Sequence, residues 1–118
     1  MIRLALLLLA SCFAGPALAD APDKEMNRLA ADKGCSLCHA ARPPRGDAVP
    51  PPAPSWREIA RRYKGQPGAE DRLVGLVLRG TGPADRHWAG RAGAVTMPRN
   101  AVEISESDAR KLIRWILR

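Results

Sequence analysis

The sequence predicts an all-α fold of about four short helices. Three observations carry this. Apolar residues recur at helical spacing in four separate segments, and no useful stretch alternates with the strand period of two. Helix-start residues and terminal glycines bracket most of those segments. Beyond residue 19 the aromatic residues are only Trp56, Tyr63, Trp88 and Trp115. A small chain so poor in large apolar side chains builds a thin core by itself, so something else must help to fill its centre.

Residues 1–19, MIRLALLLLASCFAGPALA, are set apart as a leader. One basic residue, Arg3, precedes an apolar run from Leu4 to Phe13, and Ala17-Leu18-Ala19 forms a small-residue cleavage site. This is the layout of a secretory signal peptide. The run is too short for a membrane span, which needs roughly 20 residues. Cleavage after Ala19 leaves one domain, residues 20–118, with no membrane span and an exported, periplasmic location. A minor alternative is lipidation at Cys12, because Leu9-Ala10-Ser11-Cys12 resembles a lipoprotein box.

The first helix runs to about Lys33. Asp23 and Glu25 favour its start through the helix dipole, Met26, Leu29 and Ala30 form one stripe, and Gly34 stops it. Residues 43–54, PPRGDAVPPPAP, form an extended proline-rich loop. In SWREIARRYKG, Ser55 and Glu58 have capping-box spacing. Trp56, Ile59, Ala60 and Tyr63 form the buried face, and Gly65 ends the helix. A third helix spans about Ala69 to Arg79, with Leu73, Leu76, Val77 and Gly80 marking its buried side. Periodicity is then lost from Gly80 to Val102, a long loop of the kind that usually serves function. Ser105 and Asp108 suggest a second capping box. Ala109, Leu112, Ile113 and Ile116 give the last helix a clean apolar face bordered by Trp115.

The chemistry lies in GCSLCHA, residues 34–40. A structural zinc site needs two close pairs of ligands, and beyond residue 19 only His39 and His87 could supplement Cys35 and Cys38. A thioredoxin-like dithiol belongs to a βαβ pattern that is not present. A plain disulfide is compatible with export but leaves His39 and the thin core unexplained. Covalent haem accounts for all three features. Cys35 and Cys38 form thioethers with the haem vinyl groups, His39 faces the iron, and the cofactor completes the core. For the other face of the iron the candidates are Met97, Met26 and His87. Met26 sits on the first helix stripe and reads as core filler, and His87 reads as a surface residue. Met97 stands in the aperiodic loop ahead of Pro98, which stiffens the strap, and its soft thioether suits iron in either oxidation state.

Taken together, Cys35-Ser36-Leu37-Cys38-His39, the Met97-Pro98 strap and the capped last helix resemble the class I c-type cytochromes. The likeness is to small bacterial periplasmic monohaem carriers and spans residues 20–118. It implies the cytochrome c fold, one covalent haem c with a low-spin His/Met iron, and one-electron transfer within a respiratory chain rather than enzyme catalysis. It further implies that the first and last helices cross near Gly34, Leu29 and Trp115 or Ile116. The Pro54 carbonyl accepts from the proximal imidazole, with Pro50, Pro51 and Pro52 as rivals. Asn100 lies near the methionine sulfur, and Trp88 meets a haem propionate. Two departures stand out: the loop from His39 to Pro54 and the spacing from Trp88 to Met97 are both longer than in the short carriers.

The whole chain carries a net charge of +7, and loss of Arg3 removes one unit. With an export signal and a haem motif this does not indicate nucleic-acid binding. Arg42, Arg45, Arg57, Arg61, Arg62, Lys64, Arg86, Arg91 and Arg99 are candidates for a basic surface that steers redox partners with acidic docking faces. For Arg57, Arg61 and Arg62 the alternative is the solvated face of a helix. Two other roles use the same motif: the haem subunit of a periplasmic dehydrogenase complex, with 43–54 as docking surface, and a ligand-binding or catalytic haem with an open sixth position.

Overall fold

The computed structural model describes residues 20–39, 46, 52–82, 85, 88, 96–99 and 102–118. The leader with Cys12, most of the proline-rich loop, His87 and Asn100 lie outside the described residues, as do Arg42, Arg45, Arg86 and Arg91.

The described residues form four α-helices: α1 (Asp20–Asp32), α2 (Trp56–Tyr63), α3 (Ala69–Arg79) and α4 (Glu106–Ile116). A 3-10 turn, Cys35–Leu37, follows α1, and the described residues contain no strand. Each boundary has a local cause. Gly34 ends α1 in the left-handed region at φ 74°, a conformation that glycine adopts without steric cost. Ser55 caps α2 through the full reciprocal box with Glu58. Ser105 caps α4 by accepting from the Asp108 backbone N–H, but the reciprocal half expected from the sequence is not made. Asp108 is one methylene shorter than Glu58, and its carboxylate is engaged by Lys111 and the Ser105 hydroxyl.

The last helix organises the rest, since α4 packs against α1, α2 and α3. Its apolar face is Ala109, Leu112, Ile113 and Ile116, all buried, with Ile104 just ahead of it. Met26 and Ala30 come to this core from α1, Ile59 and Tyr63 from α2, and Ala69, Leu73, Val74 and Leu76 from α3. Ala30 and Ala109 are wholly buried, and small residues of this kind let packed helices approach closely. Cutting Leu112 back to alanine would cost about 2–5 kcal/mol. On α3 the buried arc differs from the expected one: Val74 is buried and Val77 only half-buried. The arc is rotated toward Val74 because Ala69 and Leu73 also turn inward.

Polar contacts lock the ends together. Trp115 Nε1 donates to Asp23 Oδ1 at 2.8 Å, joining α4 to α1. Across the α3–α4 seam Arg110 donates to Glu70 at 2.8 Å and to Asp71 at 2.7 Å, and Arg114 donates to Glu70 at 2.9 Å. Glu70 and Asp71 lie in the first turn of α3, where the helix dipole also favours negative charge.

Candidate haem site

The motif between α1 and α2 is wound into one tight turn. Leu37 N–H donates to Gly34 O at 3.2 Å, Cys38 N–H to Cys35 O at 3.3 Å, and His39 N–H to the same Cys35 O at 3.0 Å. Cys35 and Cys38 are both half-buried, and Cys35 packs against the core. The two residues between them point outward: Ser36 is exposed and Leu37 is 86% exposed. Lys33, at the end of α1, donates through Nζ to Glu103 O at 2.8 Å, tying the turn to the approach of α4.

His39 is held from two directions. Its Nδ1 lies 2.6 Å from Pro54 O. A carbonyl oxygen only accepts, so Nδ1 carries the proton. Burial pushes the imidazole below its ordinary pKa, with the Pro54 bond opposing in part, which favours the neutral ring. A neutral ring protonated at Nδ1 leaves Nε2 with its lone pair, the form that binds a metal. The ring also stacks on Trp56, with centroids 4.6 Å apart and planes 20° from parallel. Trp56 in turn meets the edge of Trp115 at 6.3 Å.

The α2 cap sets the direction of the Pro54 carbonyl. Ser55 is wholly buried. Its N–H donates to Glu58 Oε2 at 2.8 Å and its hydroxyl to the same oxygen at 2.7 Å. The Pro54–Ser55 peptide is planar, so fixing its N–H on Glu58 aims its C=O the opposite way, at His39. Among the prolines weighed from the sequence, Pro54 makes this contact; Pro52 is exposed, and Pro50 and Pro51 lie outside the described residues.

A second group forms at the far end of α3. Met97 is half-buried in a segment, 96–99, with no regular structure. Thr81 N–H donates to Met97 O at 2.8 Å, and Met97 N–H donates to Thr81 Oγ1 at 2.7 Å. Gly80 has φ 79° and ψ −179°, a conformation essentially reserved for glycine. A Cβ there would lie 2.8 Å from Arg99 N and 2.9 Å from Met97 O, so the strap lies directly on Gly80. Trp88 is half-buried against the core with the Arg62 guanidinium 5.0 Å from its ring centroid. Met26 is buried in the helix core, as its position on the α1 stripe suggested.

Three features of these groups escaped the sequence: the Trp56 stack, the Thr81 contacts and the Arg62–Trp88 pair. Trp56 follows Pro54-Ser55 directly, and that adjacency was the available signal. For Thr81 no local pattern pointed to it.

Two cysteines on one turn, an imidazole held through Nδ1 and a strapped thioether form a donor set suited to covalent haem. Among the described residues no three Cys, His, Asp or Glu side chains gather as a metal-binding cluster. No family model matches the chain. It is, however, 38% identical over 90 residues to cytochrome c2 of Rhodocyclus tenuis, covering 75% of this chain and 86% of that protein. The chain belongs to the class I c-type cytochromes. It is also 35% identical over 89 residues to cytochrome c-551 of Allochromatium vinosum, covering 75% of this chain and 80% of that one. The crystal structure of wild-type Nitrosomonas europaea cytochrome c552 superposes with a TM-score of 0.57 at 28% identity, covering 77% of this chain and 95% of that one. As a cytochrome c the protein carries one covalent haem c with its iron, transfers electrons to and from redox partners, and is not an enzyme. The fold is the cytochrome c fold. No described helix is long and apolar enough to cross a membrane.

Proposed function

We propose that the chain is an exported, periplasmic one-electron carrier in which Cys35 and Cys38 anchor the haem, His39 is the proximal ligand and Met97 the distal one. The bound iron supplies the one-electron couple. The observation that supports this most is the Nδ1 contact of His39 with Pro54 O at 2.6 Å. It fixes the tautomer and the ring plane, so that Nε2 is presented without reorganisation when the oxidation state changes. Pro54 is thus the acceptor that orients the proximal imidazole. Met97 and Asn100 belong to the distal strap, with Asn100 near the sulfur, and Trp88 serves the propionate side, where Arg62 adds positive charge.

Arg57, Arg61, Lys64 and Arg99 are exposed and offer a basic surface for acidic faces of redox partners. Such contacts steer encounter and weaken with salt. Cleavage after Ala19 releases domain 20–118 without a span, and a lipid at Cys12 is the alternative processing. Mass spectrometry of the exported protein tests the assignment. The expected mature form begins at Asp20 and carries one haem that is lost as a thioether adduct when Cys35 and Cys38 are both replaced by serine. An N-terminus at a lipidated Cys12, or haem retained covalently in the double variant, overturns it. Electron-transfer rates with an acidic partner should fall as ionic strength rises, and an unchanged rate would remove the steering surface.

A further inference from the structure

We infer that Thr81 is a positioning residue for the distal thioether, clamping both backbone polar groups of Met97 to the end of α3. This rests on reading Met97 as an iron ligand and goes beyond it by naming what holds the sulfur in place. The strap at 96–99 has no helix or strand ladder of its own, so its backbone is placed by whatever it bonds to. Both polar groups of Met97 go to one residue. Its N–H reaches Thr81 Oγ1 at 2.7 Å, and its C=O accepts from Thr81 N–H at 2.8 Å. The Thr81 hydroxyl also lies 3.4 Å from Met97 O. A single bond would leave a hinge; two bonds, one from each backbone polar group of Met97, resist rotation as well as translation.

The clamp is mounted on a rigid support. Gly80 N–H closes α3 by donating to Leu76 O at 2.8 Å, and α3 packs along α4. Gly80 brings the strap within contact, since even a Cβ would come within 3.0 Å of Pro98 C. The sixteen-residue separation between Thr81 and Met97 explains why no periodic pattern marked this pair.

A thioether occupies iron only while its strap is closed. The apparent affinity of a competing ligand therefore reports the closed-to-open ratio of the strap. The test is imidazole titration of the ferric holoprotein, read from the loss of the sulfur–iron charge-transfer band. Thr81→Val keeps the shape and the backbone N–H but removes Oγ1, leaving the Met97 N–H without its acceptor. The loss of one such bond should raise imidazole affinity up to about tenfold. Thr81→Ser, which restores the hydroxyl, should stay within about twofold of wild type by the same reasoning. Wild-type affinity in Thr81→Val, or equal affinities in the Val and Ser variants, overturns the inference. Hydrogen exchange of the Met97 amide in the wild-type protein gives a check independent of any variant: slow exchange is expected, and exchange at the free-peptide rate overturns the clamp. In Met97→Ala the band should vanish. If it survives there, the ligand assignment itself fails; if it vanishes there while Thr81→Val behaves as wild type, only the clamp fails.

Discussion

Replacing Glu58 by alanine tests how the α2 cap supports the proximal histidine. Glu58 Oε2 accepts from the Ser55 N–H at 2.8 Å and from its hydroxyl at 2.7 Å. Ser55 has no exposed surface, so water cannot replace the lost acceptor without a rearrangement. Hydrogen bonds to a charged group contribute about 1.5–3 kcal/mol, and a carboxylate in the first turn of a helix adds about 0.3–1 kcal/mol through the dipole. Glu58→Ala should therefore destabilise the holoprotein by about 2–4 kcal/mol. Glu58→Gln keeps an acceptor but loses the charge, and should cost about 1 kcal/mol. Denaturant titration reads both as a lower midpoint at constant slope. The cap also aims the Pro54 carbonyl at His39 Nδ1. Loosening it weakens that bond, makes the imidazole a poorer donor to ferric iron and moves the midpoint potential upward. A stability change in Glu58→Ala within about 0.5 kcal/mol, the range of an ordinary surface substitution, would refute the reasoning.

Three further outcomes are expected. Gly80→Ala forces a side chain into a φ 79°, ψ −179° backbone and against the Met97–Arg99 strap. It should cost about 3 kcal/mol or more and weaken the sulfur–iron band, both measurable on the holoprotein. Glu70 is held below the usual carboxylate range by its bonds to Arg114 and Arg110. Its contribution is present above the ordinary carboxylate pKa and is lost as pH falls through the lower folded value. Glu70→Gln should thus lower stability near neutrality and converge with wild type in acid, as a pH series of unfolding midpoints will show. Trp115→Phe removes the 2.8 Å bond to Asp23 while keeping an aromatic edge near Trp56; thermal unfolding should show a loss of about 1 kcal/mol.

Local chemistry made much of this molecule readable from its sequence. The ends of α2 and α3 follow from Ser55, Glu58 and Gly80, because capping is settled within one helical turn. The haem motif is legible for the same reason: two thiols and an imidazole must sit on one turn of chain. The cap of α4 was read too generously, since spacing does not reveal whether an aspartate reaches far enough to close the box. The arc buried by α3 was also misread, because Val74 and Val77 are equally apolar and only packing against α4 selects between them. Contacts between distant segments left no periodic trace. The stack of Trp56 on His39, the Arg62–Trp88 pair and the Thr81–Met97 clamp join residues whose separation is set by irregular chain.

The central claim is that His39 and Met97 share one iron. Proton NMR of the reduced, diamagnetic protein tests it most directly, because a methionine methyl bound over the haem face is shifted far upfield by the ring current. The account predicts one such methyl, absent in Met97→Ala and retained in Met26→Leu. An upfield methyl that survives in Met97→Ala, or no such methyl in the wild-type protein, would contradict it.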